Sequence, residues 1–252
     1  YESGADELIY MDVVASLYGR NSLKEIIERT AREIFIPLTV GGGIRTVEDI
    51  RAILRAGADK VSLNTAVIND PDLIKRASKR FGSSTILVSI EAIRKPDGTY
   101  EAYTDNGRER TGVDALKWAQ QVTELGAGEI IVTSINQEGT GKGFDLELTK
   151  KIAESVQIPV IACGGAGTTG HVADVVEKGK ADAVSISSIL HYNFIRHYKL
   201  EDDFSGEGNI EYLRKQKSGF SRIQDTSLGE IKKNLIRKGI NCRSFREETV
   251  HG

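Results

Sequence analysis

The sequence has little that points to disulfide, metal, membrane or nucleic-acid chemistry. Its two cysteines, Cys163 and Cys242, are too few for a disulfide framework and show no metal-binding spacing. A formal net charge of −2 argues against a nucleic-acid coat, and the single tryptophan and eight tyrosines form no stripe for base stacking. No apolar run approaches the roughly 18 residues of a transmembrane helix, and no secretory signal opens the chain. We expect a reducing, cytoplasmic compartment, without metal or cofactor.

Short apolar segments alternate with charged, helix-like segments, and this alternation predicts the fold class. Continuous apolar runs are typical of parallel strands that are buried on both faces. Their alternation with helices indicates an α/β fold, and 252 residues suit a single (β/α)8 TIM barrel. The seven predicted strands are Glu7–Met11, Ile36–Val40, Lys60–Leu63, Thr85–Ile90, Glu129–Thr133, Ile158–Ala162 and Ala183–Ile186.

The two halves of the chain repeat each other at a nearly fixed spacing. The offset is 158 − 36 = 122 residues for the first two matches and one residue longer for the third. One register across three strand pairs favours a half-barrel repeat over chance similarity. The matched segments are Ile36–Gly43 with Ile158–Gly165, Ala5–Ile9 with Ala127–Ile131, and Gly57–Ser62 with Gly179–Ser185.

The repeat also predicts the domain organisation. The strand Thr85–Ile90 has no counterpart, which would precede residue 1, so we expect most of the first βα unit to be missing from this sequence. Tyr1–Gly4 is typical of a helix end and fits a chain that begins inside a domain. We expect one barrel domain over residues 1–243, an insertion at about 193–226, and a loose tail over 244–252.

Glycine-rich segments follow two strands in repeat register, at the strand ends where such barrels carry their active sites. They are Gly41-Gly42-Gly43 and Gly164–Gly167, and polar strand ends accompany them at Asn64-Thr65 and Ser187-Ser188. Glycine allows the backbone to approach an anion, and helix N-termini offer free N–H groups. One such segment alone would indicate a tight turn. Two in register predict two phosphate sites on opposite sides of the barrel mouth.

Glu91 is the candidate acid–base group. It follows the run Ile86–Ile90, where partial desolvation would raise the pKa of its carboxyl. The alternative is that Glu91 holds Arg94 or Lys95 in the loop that follows.

Three charged residues open strands at the opposite face of the barrel. Glu7, Lys60 and Glu129 should point toward the barrel floor. Two interpretations are open: a structural ring of salt bridges, or a polar gate through the barrel axis.

These motifs together resemble the HisF family, the cyclase subunit of imidazole glycerol phosphate synthase. The resemblance extends from about Gly4 to Tyr192 and resumes in the last helix up to Arg243. The segments that carry it are Ala5–Leu8, Phe35–Ile44, Gly57–Asn64, Gly126–Ile130, Gly143–Asp145 and Ala162–Gly167.

The resemblance implies a carbon–nitrogen lyase of histidine biosynthesis. A glutaminase subunit docked on the barrel bottom would supply ammonia to a bisphosphorylated ribulosyl-formimino carboxamide ribotide. The products would be imidazole glycerol phosphate and aminoimidazole carboxamide ribotide. The resemblance places the ammonia gate at Glu7, Lys60 and Glu129, and the glutaminase contact at Asp59. It places the phosphate-binding groups at Gly43, Asn64, Thr65, Glu138, Gly139, Gly165, Ala166 and Ser188.

Two departures from the family pattern concern carboxylates. Of the family's two catalytic aspartates, one falls on the absent first strand and the other falls on Glu91. The extra methylene of glutamate shifts the carboxyl by roughly an ångström, and a displacement of that size can cost about 10²-fold in rate. The family's Asp-x-Asp-Gly loop is Asn136–Gly139 here. These changes favour a second hypothesis, a paralogue that conducts ammonia to another amidation, for example of a surface sugar. The two retained phosphate halves favour the cyclase.

Overall fold

The computed structural model describes residues 4–12, 22–197 and 223–243, which form strands alternating with helices. The strands are β1 Leu8–Met11, β2 Leu38–Gly41, β3 Lys60–Leu63, β4 Ile86–Arg94, β5 Tyr100–Thr104, β6 Glu109–Asp114, β7 Glu129–Ser134, β8 Val160–Cys163 and β9 Ala183–Ser185. The helices are α1 Ser22–Glu33, α2 Val47–Ala56, α3 Thr65–Asn69, α4 Asp72–Phe81, α5 Ala115–Glu124, α6 Leu146–Ala153, α7 Thr169–Glu177, α8 Ser188–His197 and α9 Leu228–Arg237.

Seven parallel strands form the sheet in the order β1-β2-β3-β4-β7-β8-β9. This order follows the chain, as in a (β/α) barrel, and all seven predicted strands are present. The α/β barrel class is therefore confirmed. Within the described residues, β1 and β9 are the two end strands of this path. Among the helices of those residues, none is long and apolar enough to cross a membrane.

The half-barrel repeat is visible in the strand pairing. Leu8 of β1 lies opposite Leu38 of β2, and Ile130 of β7 lies opposite Val160 of β8. Both residues of the second pair stand 122 positions after those of the first. The repeat therefore extends from sequence to hydrogen-bond register.

A pair of equivalent aspartates extends the repeat to side-chain contacts. The carboxylate of Asp59 accepts a hydrogen bond from the Leu38 N–H at 2.8 Å. The carboxylate of Asp182 accepts one from the Val160 N–H at 2.9 Å. Each aspartate thus satisfies the first backbone N–H of the neighbouring strand, which would otherwise lack a partner at the sheet end.

Two apolar layers result from the alternation of side chains along each strand. Alternate strand residues such as Val40 and Val88 are buried against the helices. The others face the barrel interior, where Leu87, Ile131 and Ile161 pack together. The interior layer supports the mouth above it and the charged floor below.

Helix ends follow local sequence signals. The Thr46 hydroxyl accepts from the Asp49 N–H, and the Asp49 carboxylate accepts from the Thr46 N–H, which forms a capping box at the start of α2. Gly57 ends this helix in the left-handed region with φ 118°.

The structure differs from the expected elements in three places. The short helix α3 was not predicted; it lies immediately before α4 and is separated from it by Asp70 and Pro71, since proline cannot continue a helix from its interior. Strand β4 continues past Glu91 to Arg94, because it pairs antiparallel with β5. The first residues of the expected insertion, 193–197, continue α8. Most of that insertion and the tail at 244–252 lie outside the described residues.

Candidate active site

Glu91 lies inside β4 rather than after it, opposite Thr133 of β7 on one side and Tyr103 of β5 on the other. Its carboxyl accepts hydrogen bonds from the Asn64 side chain and the Gly107 N–H. Its Oε2 atom is buried and has no hydrogen-bond partner among the described residues. The carboxyl therefore has an acceptor position available inside the barrel mouth.

The surroundings of Glu91 favour its protonated form. Burial raises the pKa of its carboxyl to about 7, against the opposing hydrogen bond from Gly107, and the nearby charges of Glu138 and Asp105 add to the rise. A carboxyl with such a pKa exchanges a proton near neutral pH, as a general acid–base group must.

The alternative role expected for Glu91 is not supported. Arg94 pairs with Glu147, with 2.9 Å between Nη2 and Oε2. Lys95 has its carboxylate neighbour in Asp97 at 3.8 Å. Because the strand extends to Arg94, these cations lie beyond the mouth and pair with other groups.

The first phosphate-type strand end combines two glycines with a helix start. Gly42 and Gly43 have φ of 102° and 66°, a region that favours glycine. A Cβ on Gly42 would lie 2.1 Å from the carbonyl oxygen of Asp12. On the neighbouring strand end, Thr65 begins α3 and its hydroxyl accepts from the Asp105 N–H at 3.3 Å.

The second strand end has the same backbone. Gly164 and Gly165 have φ of 87° and 107° and precede α7, whose N-terminal cap is Thr168. Ala166 follows them, and Ser188 begins α8 as Thr65 begins α3. The structure therefore brings the two predicted glycine sites to the same end of the sheet.

The loop after β7 lies beside the second glycine segment. The Gly143 N–H donates to the Gly165 carbonyl at 2.8 Å. A Cβ on Gly164 would lie 3.5 Å from the Cβ of Glu138, and Gly139 turns the loop with φ 70°. These contacts place the predicted loop residues Glu138 and Gly139 at the mouth.

The floor residues also come together. The Lys60 Nζ lies 2.9 Å from an oxygen of Glu7 and 2.7 Å from an oxygen of Glu129. Burial alone would lower the pKa of the Lys60 ammonium, but the hydrogen bonds and charges of the two carboxylates together raise it. The second oxygen of Glu129 is buried without a hydrogen-bond partner among the described residues. Asp59, which immediately precedes Lys60, is exposed at the same end of the sheet, and its carboxylate accepts the hydrogen bond from the first residue of β2.

Buried hydroxyls lie between floor and mouth. Thr39 on β2 lies opposite Lys60 of β3, and Ser62 stands two residues after Lys60 on the same strand. Both side chains therefore face the barrel interior, as that of Lys60 does. Both hydroxyl oxygens are buried without hydrogen-bond partners among the described residues. Together with Glu129 and Glu91, they give the barrel interior polar atoms from one end to the other.

The hairpin β5–β6 was not predicted from the sequence, and it adds the Gly107 N–H to the site. A Cβ on Gly107 would lie 2.8 Å from Ile135, so the turn packs closely on the loop after β7. The dipeptide Asn106-Gly107 between segments of strand-forming residues is a hairpin signal that could have revealed it.

A second missed cluster lies just outside the mouth. The Tyr100 hydroxyl donates to Asp145 at 3.1 Å, and burial followed by the Asp145 charge raises the pKa of Tyr100. Asp145 also caps α6 through the Leu148 N–H at 2.9 Å. A cavity of about 530 Å³ is lined by Asp145 of this cluster together with Arg94 and Lys95.

Cys163 ends β8 in the same mouth, but its chemistry is unsuited to nucleophilic attack. Burial raises the pKa of its thiol, so the reactive thiolate is scarce at neutral pH. No group of three or more histidine, cysteine or acidic side chains suited to a metal occurs in the described part of the chain.

Comparisons with known proteins give a family and relatives that cover most of the chain. Residues 1–196 match the protein family described as histidine biosynthesis protein. The chain is 52% identical over 194 residues to the imidazole glycerol phosphate synthase subunit HisF of Trichormus variabilis, covering 76% of each chain. It is 50% identical to the HisF subunit of a Nostoc species over 76% of this chain and 75% of the relative. It is 48% identical to that of Alkaliphilus metalliredigens over 76% of each.

Proposed function

The chain belongs to the histidine biosynthesis protein family, and from this premise we propose that it is the cyclase subunit of an imidazole glycerol phosphate synthase. It adds ammonia to a bisphosphorylated ribulosyl-formimino carboxamide ribotide and releases imidazole glycerol phosphate and aminoimidazole carboxamide ribotide. The three relatives carry the synthase subunit name, which favours this activity over a conduit for another amidation.

The observation that carries the chemistry is the position of Glu91 between the two glycine strand ends. Gly43 with Asn64 and Thr65 would bind one phosphate, and Gly165 with Ala166 and Ser188 would bind the other, with Glu138 and Gly139 at its edge. Backbone N–H groups at positive-φ glycines and helix starts suit both anions. A substrate held at both ends would lie across the Glu91 carboxyl.

Glu91 then supplies proton transfer. Ammonia addition and ring closure require protons to leave the nitrogen and reach the departing groups. A carboxyl with a pKa of about 7 can donate in one step and accept in the next without a large free-energy cost. The unpartnered Oε2 atom is the position from which this proton would move.

Ammonia enters from the floor on this proposal. Glu7, Lys60 and Glu129 form the gate, and the hydroxyls of Thr39 and Ser62 give a neutral amine hydrogen-bond partners on the way to Glu91. The partner that produces ammonia is a glutaminase subunit docked on the floor rim that includes Asp59. On this proposal the protein acts in the cytoplasm.

The test is steady-state turnover of the bisphosphate substrate with ammonium chloride, using the full chain. Glu91→Gln should lower kcat at least about 100-fold with little change in KM, because it removes proton transfer and keeps shape. Glu109→Gln, on the exposed edge of the hairpin, is the matched control and should retain turnover. Equal turnover of the natural chain and Glu91→Gln would exclude Glu91 as the acid–base group.

A further inference from the structure

The floor of the barrel carries an exposed aromatic side chain. Phe35 lies between α1 and β2, three residues before Leu38, and is 80% exposed. This is the end of the sheet at which Lys60 and Glu129 begin their strands. Leu38 is tied to this rim through the carboxylate of Asp59.

The neighbours of Phe35 fix the direction of its ring. Ile36 is buried and Ile34 packs against the core, so the residue between them is turned toward solvent. The Ile34 N–H also donates to the Thr30 carbonyl at 3.0 Å, which anchors the segment to the end of α1. The ring is thus presented by a backbone held on both sides, and ordering it on binding costs little entropy.

The other half of the barrel provides an internal comparison. At the repeat offset of 122, Val156 and Ile158 stand at the positions of Ile34 and Ile36, and both pack into the core. Between them stands Gln157, exposed where Phe35 is exposed. The same local fold therefore forms with a polar residue at this position.

Single exposed apolar residues are common on protein surfaces and need no function by themselves. Phe35 differs in that the molecule uses glutamine at the equivalent site, and in that it lies on the rim around the charged gate. Aromatic residues held rigidly at the centre of an interface are typical binding hot spots.

We propose that Phe35 is the aromatic anchor through which this chain binds its glutaminase subunit. The inference rests on the proposed function, which puts the ammonia source on this floor. The partner would receive the ring in an apolar pocket, beside the rim that Asp59 occupies. Among the described residues, the equivalent position in the other half is Gln157, so the anchor also selects one of the two orientations that the half-barrel repeat would otherwise make similar.

The experiment measures the dissociation constant of the full chain with the glutaminase subunit from the same genome, by isothermal titration calorimetry. Phe35→Gln should weaken binding at least tenfold, and Phe35→Leu should weaken it less because part of the apolar contact remains. The control is Phe194→Gln on α8, which removes another exposed phenylalanine, 44% exposed, and should bind like the natural chain.

The outcomes separate this inference from the function on which it rests. Ammonium-dependent turnover should be the same in Phe35→Gln and the natural chain, while glutamine-dependent turnover should fall at limiting glutaminase. A change in affinity below twofold for Phe35→Gln, or no binding by the natural chain, would contradict the role of Phe35 as the binding anchor. If binding depends on Phe35 but the chain shows no ammonium-dependent turnover, the proposed cyclase activity would be overturned while the role of Phe35 as the binding anchor would stand.

Discussion

The carboxyl of Glu91 is held where its charge is disfavoured, so its protonation couples stability to pH. Its pKa in the folded chain is about 7, above its ordinary value of 4.5. The folded state therefore binds the proton more tightly than the unfolded state, and stability is lost as pH rises from 4.5 through 7. Above pH 7 the chain carries the full cost of the buried charge.

Replacing Glu91 by glutamine should remove this cost. Each pH unit between the two pKa values corresponds to about 1.4 kcal/mol of stability, and partial solvation of the side chain reduces this value. We therefore expect Glu91→Gln to be about 1–3 kcal/mol more stable than the natural chain at pH 8.5. At pH 4.5 the difference should be close to zero. Urea unfolding at both pH values measures it, and a stability gain independent of pH would contradict the assignment.

The charge of Asp105 also affects the pKa of the Glu91 carboxyl. Its charge raises the pKa of Glu91, so Asp105→Asn should lower that pKa and move the corresponding limb of the kcat/KM profile to lower pH, by roughly half a unit for a partly screened pair. Asparagine tolerates the φ of 51° found at this position, so the turn should be kept. The measurement is ammonium-dependent turnover between pH 5.5 and 9.

The matched control for Asp105→Asn is Glu109→Gln, which removes an equal charge from the same hairpin. It should leave this limb of the pH profile in place, because Glu109 is not among the groups with the largest effect on the pKa of Glu91. If both substitutions move the limb equally, the effect reflects overall charge rather than the position of Asp105.

At the scale of elements, equivalent contacts in the two halves should contribute equally to stability. Asp59→Ala and Asp182→Ala each remove one carboxylate acceptor from a strand N–H, at 2.8 and 2.9 Å. Each should lower the free energy of unfolding by about 1–2 kcal/mol. Urea titrations compare them, and costs that differ by more than about 1 kcal/mol would show that the repeat does not extend to energetics.

The repeat explains why much of this fold could be predicted from sequence. Parallel strands buried on both faces give continuous apolar runs, and the 122-residue offset fixed their order and the positions of Gly43 and Gly165. The contact of Lys60 with Glu7 and Glu129 also followed from sequence, because all three residues stand at strand starts and so converge at one face.

The surroundings of Glu91 could not be predicted in the same way. The hairpin β5–β6 follows β4, the strand for which the repeat offers no counterpart within this sequence, so the repeat gave no indication of it. The hydrogen bond from Gly107 and the charge of Asp105 depend on where that hairpin folds relative to the mouth. Local signals such as Asn106-Gly107 indicate a turn but not its tertiary position.

At the scale of the whole molecule, a cluster of polar contacts around Asp6 joins the two ends of the described chain. Lys232 of α9 is only 3% exposed, and its Nζ donates to the Asp6 carboxylate at 2.8 Å and to the Arg243 carbonyl at 3.1 Å. The Arg243 side chain donates to Asp6 as well, at 2.9 Å. Asp6 immediately precedes Glu7, so this contact fixes α9 beside the start of β1 and the floor.

Removing the acceptor should therefore destabilise the barrel as a unit. Asp6→Ala leaves the buried Lys232 ammonium without its carboxylate, and we expect a loss of about 2–3 kcal/mol in the free energy of unfolding. Lys232→Met in that background should recover part of the loss, because it removes the unpaired charge and keeps the aliphatic volume. A double-mutant cycle by urea unfolding measures the coupling. Additive losses would mean that Lys232 is solvated without Asp6 and that the chain ends are joined by apolar packing instead.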